Sequence, residues 1–135
     1  MLTVQKNDVT QNFQWITKSK AYTLSSKDIV LTISKEGTAK NGTHRAARGC
    51  VYFHNKSGER ISKTGYVMFG IDGNRLYFCE ADKISGFKLT VQNSENCCAQ
   101  ATDKMLVDWI SKHIGEYSLN QDSKSGLYYV EDIKQ

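Results

Sequence analysis

The chain contains no proline in its 135 residues, so glycine is its main punctuation and no X-Pro isomerisation slows folding. It has no run approaching the roughly 20 apolar residues of a membrane-spanning helix. Its start, MLTVQKNDVTQNF, has neither the basic n-region nor the apolar h-region of a secretory leader. The expectation is a cytoplasmic protein with no membrane partner, in which Asn41-Gly42-Thr43 and Asn55-Lys56-Ser57 are ordinary loop residues and not glycosylation sites.

Several chemical signatures are also missing. There is no G-x-G-x-x-G, no G-x-x-x-x-G-K-[ST] and no nucleophile elbow, which removes the common nucleotide-fold and hydrolase patterns. His44, Cys50 and His54 lie near one another in sequence, but no C-x-x-C or H-x-x-x-H pair supplies the tight spacing of a structural zinc site. Cys50 beside His44 or His54 lacks an orienting carboxylate. Glu80 and Asp82, on either side of Ala81, read as a solvated bend and not as a catalytic pair. Cys50, Cys79, Cys97 and Cys98 suggest no disulfide framework and are expected to be reduced. The chain is therefore expected to be non-catalytic, with no metal and no cofactor.

What is present fits one domain over residues 1–135, with seven tyrosines, five phenylalanines and two tryptophans to build a core. The densest apolar patterning runs from Tyr66 to Val91. Tyr66 to Ile71 and Arg75 to Cys79 flank Asp72-Gly73-Asn74, and Asp-Gly suits the positive φ of a tight hairpin turn. Phe87, Leu89 and Val91 alternate with Lys88 and Thr90, which predicts a third strand and a three-stranded meander over 66–91. Upstream, Phe13–Ile16 and Ala21–Leu24 read as a hairpin, Met1–Asn12 as an edge strand or mobile end, and Ile29–Ser34 as a half-buried strand. Val51–His54 is a short strand, while 35–49 and 55–64 read as polar, basic loops with a turn at Ser57-Gly58. Gln92–Gln100 reads as a polar connection.

Asp103 or Thr102 caps a predicted helix over 103–114 with Met105, Leu106, Trp109, Ile110 and Ile114 on its apolar face and Gly115 ending it. Tyr117–Leu119 and Leu127–Val130 then form a closing hairpin within 116–131. The predicted fold is α+β: a mostly antiparallel sheet packed against one amphipathic helix in the C-terminal half, followed by a hairpin. Leu76, Phe78, Leu89, Leu106, Trp109 and Ile110 are the predicted core.

Charge is the least random feature. Between Lys35 and Lys63, seven basic residues (Lys35, Lys40, Arg45, Arg48, Lys56, Arg60 and Lys63) against Glu36 and Glu59 give +5, while the whole chain carries only +4. Such a concentration in glycine-containing loops can attract phosphates through side chains and backbone N–H groups, or serve only as a solvated surface. Tyr52, Phe53 and His54 lie inside the same stretch and could stack on bases if exposed, although alternation lets only one of Tyr52 and Phe53 face outward.

Val30-Leu31-Thr32-Ile33-Ser34-Lys35-Glu36-Gly37-Thr38, followed by Gly65 to Phe78, resembles the strand region of AbrB/SpoVT-class swapped-hairpin DNA-binding domains. Together with Asp103 to Val130, it also resembles small uncharacterised proteins of bacterial phages and mobile elements. The chain departs from the AbrB pattern in having a long basic insertion where that class has a proline-containing turn and a Leu-Gly segment. The resemblance implies DNA binding and a homodimer.

The leading expectation is a phage or mobile-element protein that engages nucleic acid, or a host nucleoprotein that handles it, as a regulator or a host-defence inhibitor such as an anti-CRISPR. Its contacts would be Lys35, Lys40, Arg45, Arg48, Tyr52, Lys56, Arg60 and Lys63. The alternative is a nucleotide-ligand or protein-binding module using the same loops, and a cysteine- or zinc-dependent enzyme comes last.

Overall fold

The computed structural model describes residues 27–38 and 40–133. The hairpin expected over Phe13–Leu24 and the strand or mobile end expected over Met1–Asn12 lie outside the described residues. The described chain is built mostly from antiparallel strands, arranged in two five-stranded sheets and a separate two-stranded hairpin.

The elements in chain order are β1 Ile29–Ser34, β2 Gly37–Thr38, β3 His44–Arg45, β4 Arg48–Phe53, α1 Ser57–Ile61, β5 Tyr66–Asp72, β6 Arg75–Glu80, β7 Phe87–Lys88, β8 Thr90–Val91, β9 Cys97–Ala101, α2 Lys104–Lys112, β10 Gly115–Tyr117, β11 Asn120–Gln121 and β12 Tyr128–Glu131. The first sheet has the order β10-β1-β4-β9-β8 and the second β11-β12-β6-β5-β7.

Alternation decides which face of each sheet is buried. In the first sheet, Ile29 sits opposite Phe53 and Leu31 opposite Val51, and all four are buried. Val51 in turn faces Ala99 across β9. In the second sheet, Val130 pairs with Leu76 and Phe69 with Phe78. The two inner faces meet where the Phe53 and Phe78 rings pack edge to face, 5.3 Å between centroids. That spacing is within the range aromatic pairs favour.

Helix α2 closes one end of this core. Asp103 caps it by accepting from the Leu106 backbone N–H at 3.1 Å, and Leu106, Trp109 and Ile110 are buried. Ile110 lies over Gly49, where an added Cβ would come within 2.8 Å of its Cδ1. The helix can approach the sheet closely because Gly49 offers no side chain there. Trp109 stacks on His113 at 4.0 Å and donates its indole N–H to the Gly73 carbonyl at 2.8 Å. His113 in turn bonds Asp132 at 2.7 Å, so the end of α2 fastens the β5–β6 turn to the C-terminal segment.

Several expectations need correction. The stretch 66–91 is not a meander: β7 pairs with β5, not with β6, and the chain then crosses to the first sheet, where β8 pairs with β9. Buried Leu89 makes the crossing, its N–H donating to the Gly65 carbonyl at 2.9 Å. Val91 is 76% exposed, because its strand has left the sheet whose interior it was expected to share. Residues 92–100 are not simply a connection, since β9 is an inner strand with Cys98, Ala99 and Ala101 buried. Residues 55–64 hold a second helix, α1, with Ser57 and Gly58 buried where a surface turn was expected.

Met105 and Ile114 are exposed, at 72% and 52%, so α2 uses a narrower apolar face. The helix stops at Lys112, His113 is its C-cap, and Gly115 already pairs with β1 opposite Leu31. Tyr117 also joins the first sheet, so the final hairpin is made by Asn120–Gln121 and Tyr128–Glu131 instead.

Trp109 is the largest side chain by which the helix is anchored to the core. Trp109→Ala should lower the unfolding free energy by about 3 to 5 kcal/mol, the usual cost of emptying a buried large aromatic site. Chemical denaturation of the two proteins measures it, and a difference below about 1 kcal/mol would show that α2 is not held by this contact.

Candidate functional site

The basic residues from Lys35 to Lys63 do not form one patch. Strand β4 lies between them, and its six residues separate two groups by on the order of 17 Å. Lys35, Lys40 and Arg45 belong to an arm at one end of the strand, with Arg48 at its root; Lys56, Arg60 and Lys63 cluster around α1 at the other.

The arm exists because β1 and β4 stop pairing at Ser34 and Arg48 while the chain between them is longer than a turn requires. It folds back on itself as β2 and β3, with Gly37 opposite Arg45 and Thr38 opposite His44. Gly42, at φ +86°, and the Asn41 carboxamide, which accepts from the Thr43 N–H at 3.0 Å, shape its tip. A 3.4 Å contact between His44 Nε2 and the Glu36 carboxylate links its two sides. Lys35, Lys40 and Arg45 are exposed, and a Cβ added at Gly37 or Gly42 would meet nothing within 4 Å. At the root, Arg48 is half-buried and donates to Gln100 at 3.0 Å, so it orients the arm more than it reaches outward.

The second group is more structured. Asn55 and Lys56 both have left-handed backbones, with φ 57° and 62°. A lysine there costs on the order of 1 kcal/mol or more, because its Cβ crowds the carbonyl. The conformation is held by the Lys56 N–H donating to the Glu95 carbonyl at 2.7 Å and the Asn55 N–H donating to Asn96 at 3.3 Å. Beyond the helix, the Glu80 carboxylate accepts from the Lys63 and Thr64 N–H groups. Arg60 is exposed but drawn aside by Asp28 at 3.7 Å, while Lys56 and Lys63 are exposed cations on this side with no such ion pair among the described residues. Both line a cavity of about 370 Å³ between α1 and the β8–β9 turn.

Of the three residues expected near nucleobases, Phe53 is wholly buried, while Tyr52 and His54 are half-buried on the opposite face of β4. Tyr52 sits across from Cys98 in the register, two pairs along from Cys50 on the same face. Burial first, then the neighbouring Cys98 and Cys50 thiols, push the Tyr52 hydroxyl above its usual range. Burial pushes the Cys98 thiol up to about 11 from 9.0. Tyr52 and Cys98 therefore stay protonated at neutral pH. All four cysteines are free. Among the described residues, no group of three His, Cys, Asp or Glu side chains is placed to hold a metal ion, and no helix is long and apolar enough to cross a membrane.

One surface feature was missed in the sequence. The outer face of the second sheet carries Tyr77 and Tyr129 side by side, with centroids 5.2 Å apart and Arg75 stacked 4.4 Å above the Tyr129 ring. The period-2 pattern of Arg75–Cys79 could have shown Tyr77 pointing outward, but its partnership with Tyr129 depends on a pairing 52 residues away, which no local pattern encodes. Arg75 is already engaged by Glu131 at 3.3 Å and the Tyr77 hydroxyl at 3.0 Å, so this face is internally satisfied. Compared with known proteins, the chain matches no family model, no curated protein and no solved structure.

Two of the raised groups, the Cys98 thiol and the Tyr117 phenol, bear on stability in alkali. Tyr117, which donates to the His113 carbonyl at 2.6 Å, is pushed up to about 12 from 10.0, by burial first and then by Asp132. Both acids are raised in the folded state, so their stabilising contribution is complete below the unfolded values of 9.0 and 10.0 and is lost as pH rises toward about 11 and 12. The melting temperature should therefore fall progressively above about pH 9. Cys98→Ala should flatten the first part of that decline and Tyr117→Phe the later part, and thermal melts of each variant across pH 8 to 12 would show whether the slopes change in that order.

Proposed function

We propose that the protein is a non-catalytic nucleic-acid-binding protein whose primary contact is the β2–β3 arm. The observation that carries this reading is that the arm holds Lys35, Lys40 and Arg45 exposed on a two-stranded hairpin that belongs to neither large sheet. A lone two-stranded hairpin is marginal in water, and this one buries almost nothing, so its contribution to folding is slight. Its dimensions suit insertion into a groove, as two-stranded ribbons do in the major groove, and its cations suit phosphate contacts that position a duplex or single strand. A partly folded arm that orders on contact would give up some affinity for reach.

The reading extends to a host nucleoprotein, where the same arm would touch the nucleic-acid component. Its positive charge is the opposite of what a mimic of the phosphate backbone requires.

The test is binding of duplex and single-stranded oligonucleotides at 50 and 200 mM salt, with the Lys40→Glu/Arg45→Glu variant alongside. Neutralising about three phosphates gives a log–log salt slope near −2.7 for duplex. The double variant should weaken binding at least tenfold and flatten the slope, with its melting temperature unchanged within about 2 °C because exposed charges contribute little to stability. Unaltered binding by the variant would remove the arm from the interface.

A further inference from the structure

The cavity beside α1 has a lining unlike that of a simple anion site. Its cations, Lys56 and Lys63, are matched by two carboxylates, Glu59 and Glu95, so its formal charge is zero. Lys56 precedes α1, Glu59 lies in its first turn and Lys63 follows its C-cap, and all three line the cavity. A bare phosphate would meet repulsion from both glutamates. A ligand with an acidic part and a separate hydrogen-bond-donating part would not.

The opposite wall supplies the rest. Leu89 and Val91 supply its apolar lining, Leu89 buried and Val91 76% exposed. Asn93 and Asn96 come from the turn between β8 and β9. The Asn93 carboxamide oxygen accepts from the Glu95 and Asn96 N–H groups at 2.8 and 2.9 Å, and that of Asn96 accepts from the Asn55 N–H at 3.3 Å. With both oxygens occupied, each side chain has an NH2 group to offer a ligand. The Asn96 contact belongs to the strained Asn55–Lys56 segment, so the left-handed backbone there helps to hold this wall in position. A volume of about 370 Å³ falls at the small end of the range for small-molecule sites, too small for a duplex and suited to a single nucleotide.

We propose that this cavity receives one unpaired nucleobase carrying an exocyclic amino group, its flanking phosphate meeting Lys56 or Lys63. The inference rests on the nucleic-acid reading above and adds to it a preference among bases. Flat base surface packs on Leu89 and Val91; the amino group donates to Glu59 or Glu95, the pairing that carboxylates make with cytosine N4; and the ring acceptors beside it take the Asn93 and Asn96 NH2 groups. Uracil, with a carbonyl at the position of that amino group, would set an acceptor against a carboxylate and leave both unsatisfied. The arm and the cavity lie at opposite ends of β4, so a strand held by the arm could reach the cavity by running along that side of the first sheet.

Labelled oligo(dC) and oligo(dU), which differ in this amino group, decide the matter when titrated into the full chain and into Glu59→Gln/Glu95→Gln. Because both glutamates are exposed, the substitutions should leave the melting temperature unchanged while removing the carboxylates that favour the amino group. The expected result is about tenfold tighter binding of oligo(dC) by the parent, the size of one charge-assisted hydrogen bond, with that preference lost in Glu59→Gln/Glu95→Gln. Equal affinity for the two oligonucleotides, or a preference that survives in Glu59→Gln/Glu95→Gln, would overturn the cavity's role while leaving the arm's intact. Binding of neither oligonucleotide, together with no duplex binding, would bring down the nucleic-acid reading and this inference with it.

Discussion

The edge-to-face contact of Phe53 and Phe78 is the point on which the two sheets depend. Each ring comes from an inner strand of its own sheet, and each is almost completely excluded from water. Around this pair the interior extends in both directions: Phe69 packs on Phe78 with centroids 5.8 Å apart, while Ile29, Leu31 and Val51 continue the surface beneath Phe53. An interior at crystal-like density tolerates little change in shape, so the small residues at its margins matter as much as the large ones. Gly49 admits Ile110, and Gly58, where an added Cβ would lie 2.4 Å from the Cys97 sulfur, lets α1 settle against β9. Helices α2 and α1 are thus seated by what is absent from the sequence at two positions, Gly49 and Gly58.

Much of this architecture was legible in the sequence. The strands around Ile29–Ser34 and Tyr66–Cys79 announce themselves by alternation, and the Asp72-Gly73-Asn74 turn by its chemistry. Asp103 begins a helix where its capping side chain said it would. The illegible parts share a cause. Phe87-Lys88-Leu89-Thr90-Val91 alternates in the same way whether the strand stays in one sheet or passes to another, because period 2 records which face a residue takes and not which neighbour it pairs with. Strand β9, reading CCAQA, has no bulky or β-branched residue to mark it, and it is a strand because β4 and β8 pair with it on both sides. Helix α1 is five residues long and contains a glycine, too short for any periodicity.

The basic residues themselves were plain in the sequence, but their division was not. Seven cations within 29 positions look like one patch until the strand between them is seen to span the sheet. The cavity was further out of reach, since residues 56–65 supply one wall and residues 89–97 the other. The backbone around Lys56 also gave no advance signal. Lysine has no special tolerance of a left-handed conformation, and only the hydrogen bonds from the β8–β9 turn explain why it adopts one.

The β2–β3 arm leaves the sheet at a single register pair, Ser34 opposite Arg48, and its described residues are exposed or half-buried. Its length, charge and tip can therefore drift through evolution almost independently of the scaffold, since an insertion there changes neither the pairing of β1 with β4 nor the packing of Phe53. Were the arm the contact proposed above, stability and recognition would be physically uncoupled at this point, and a lineage could retarget the protein by rewriting about a dozen residues while inheriting the rest of the molecule unaltered.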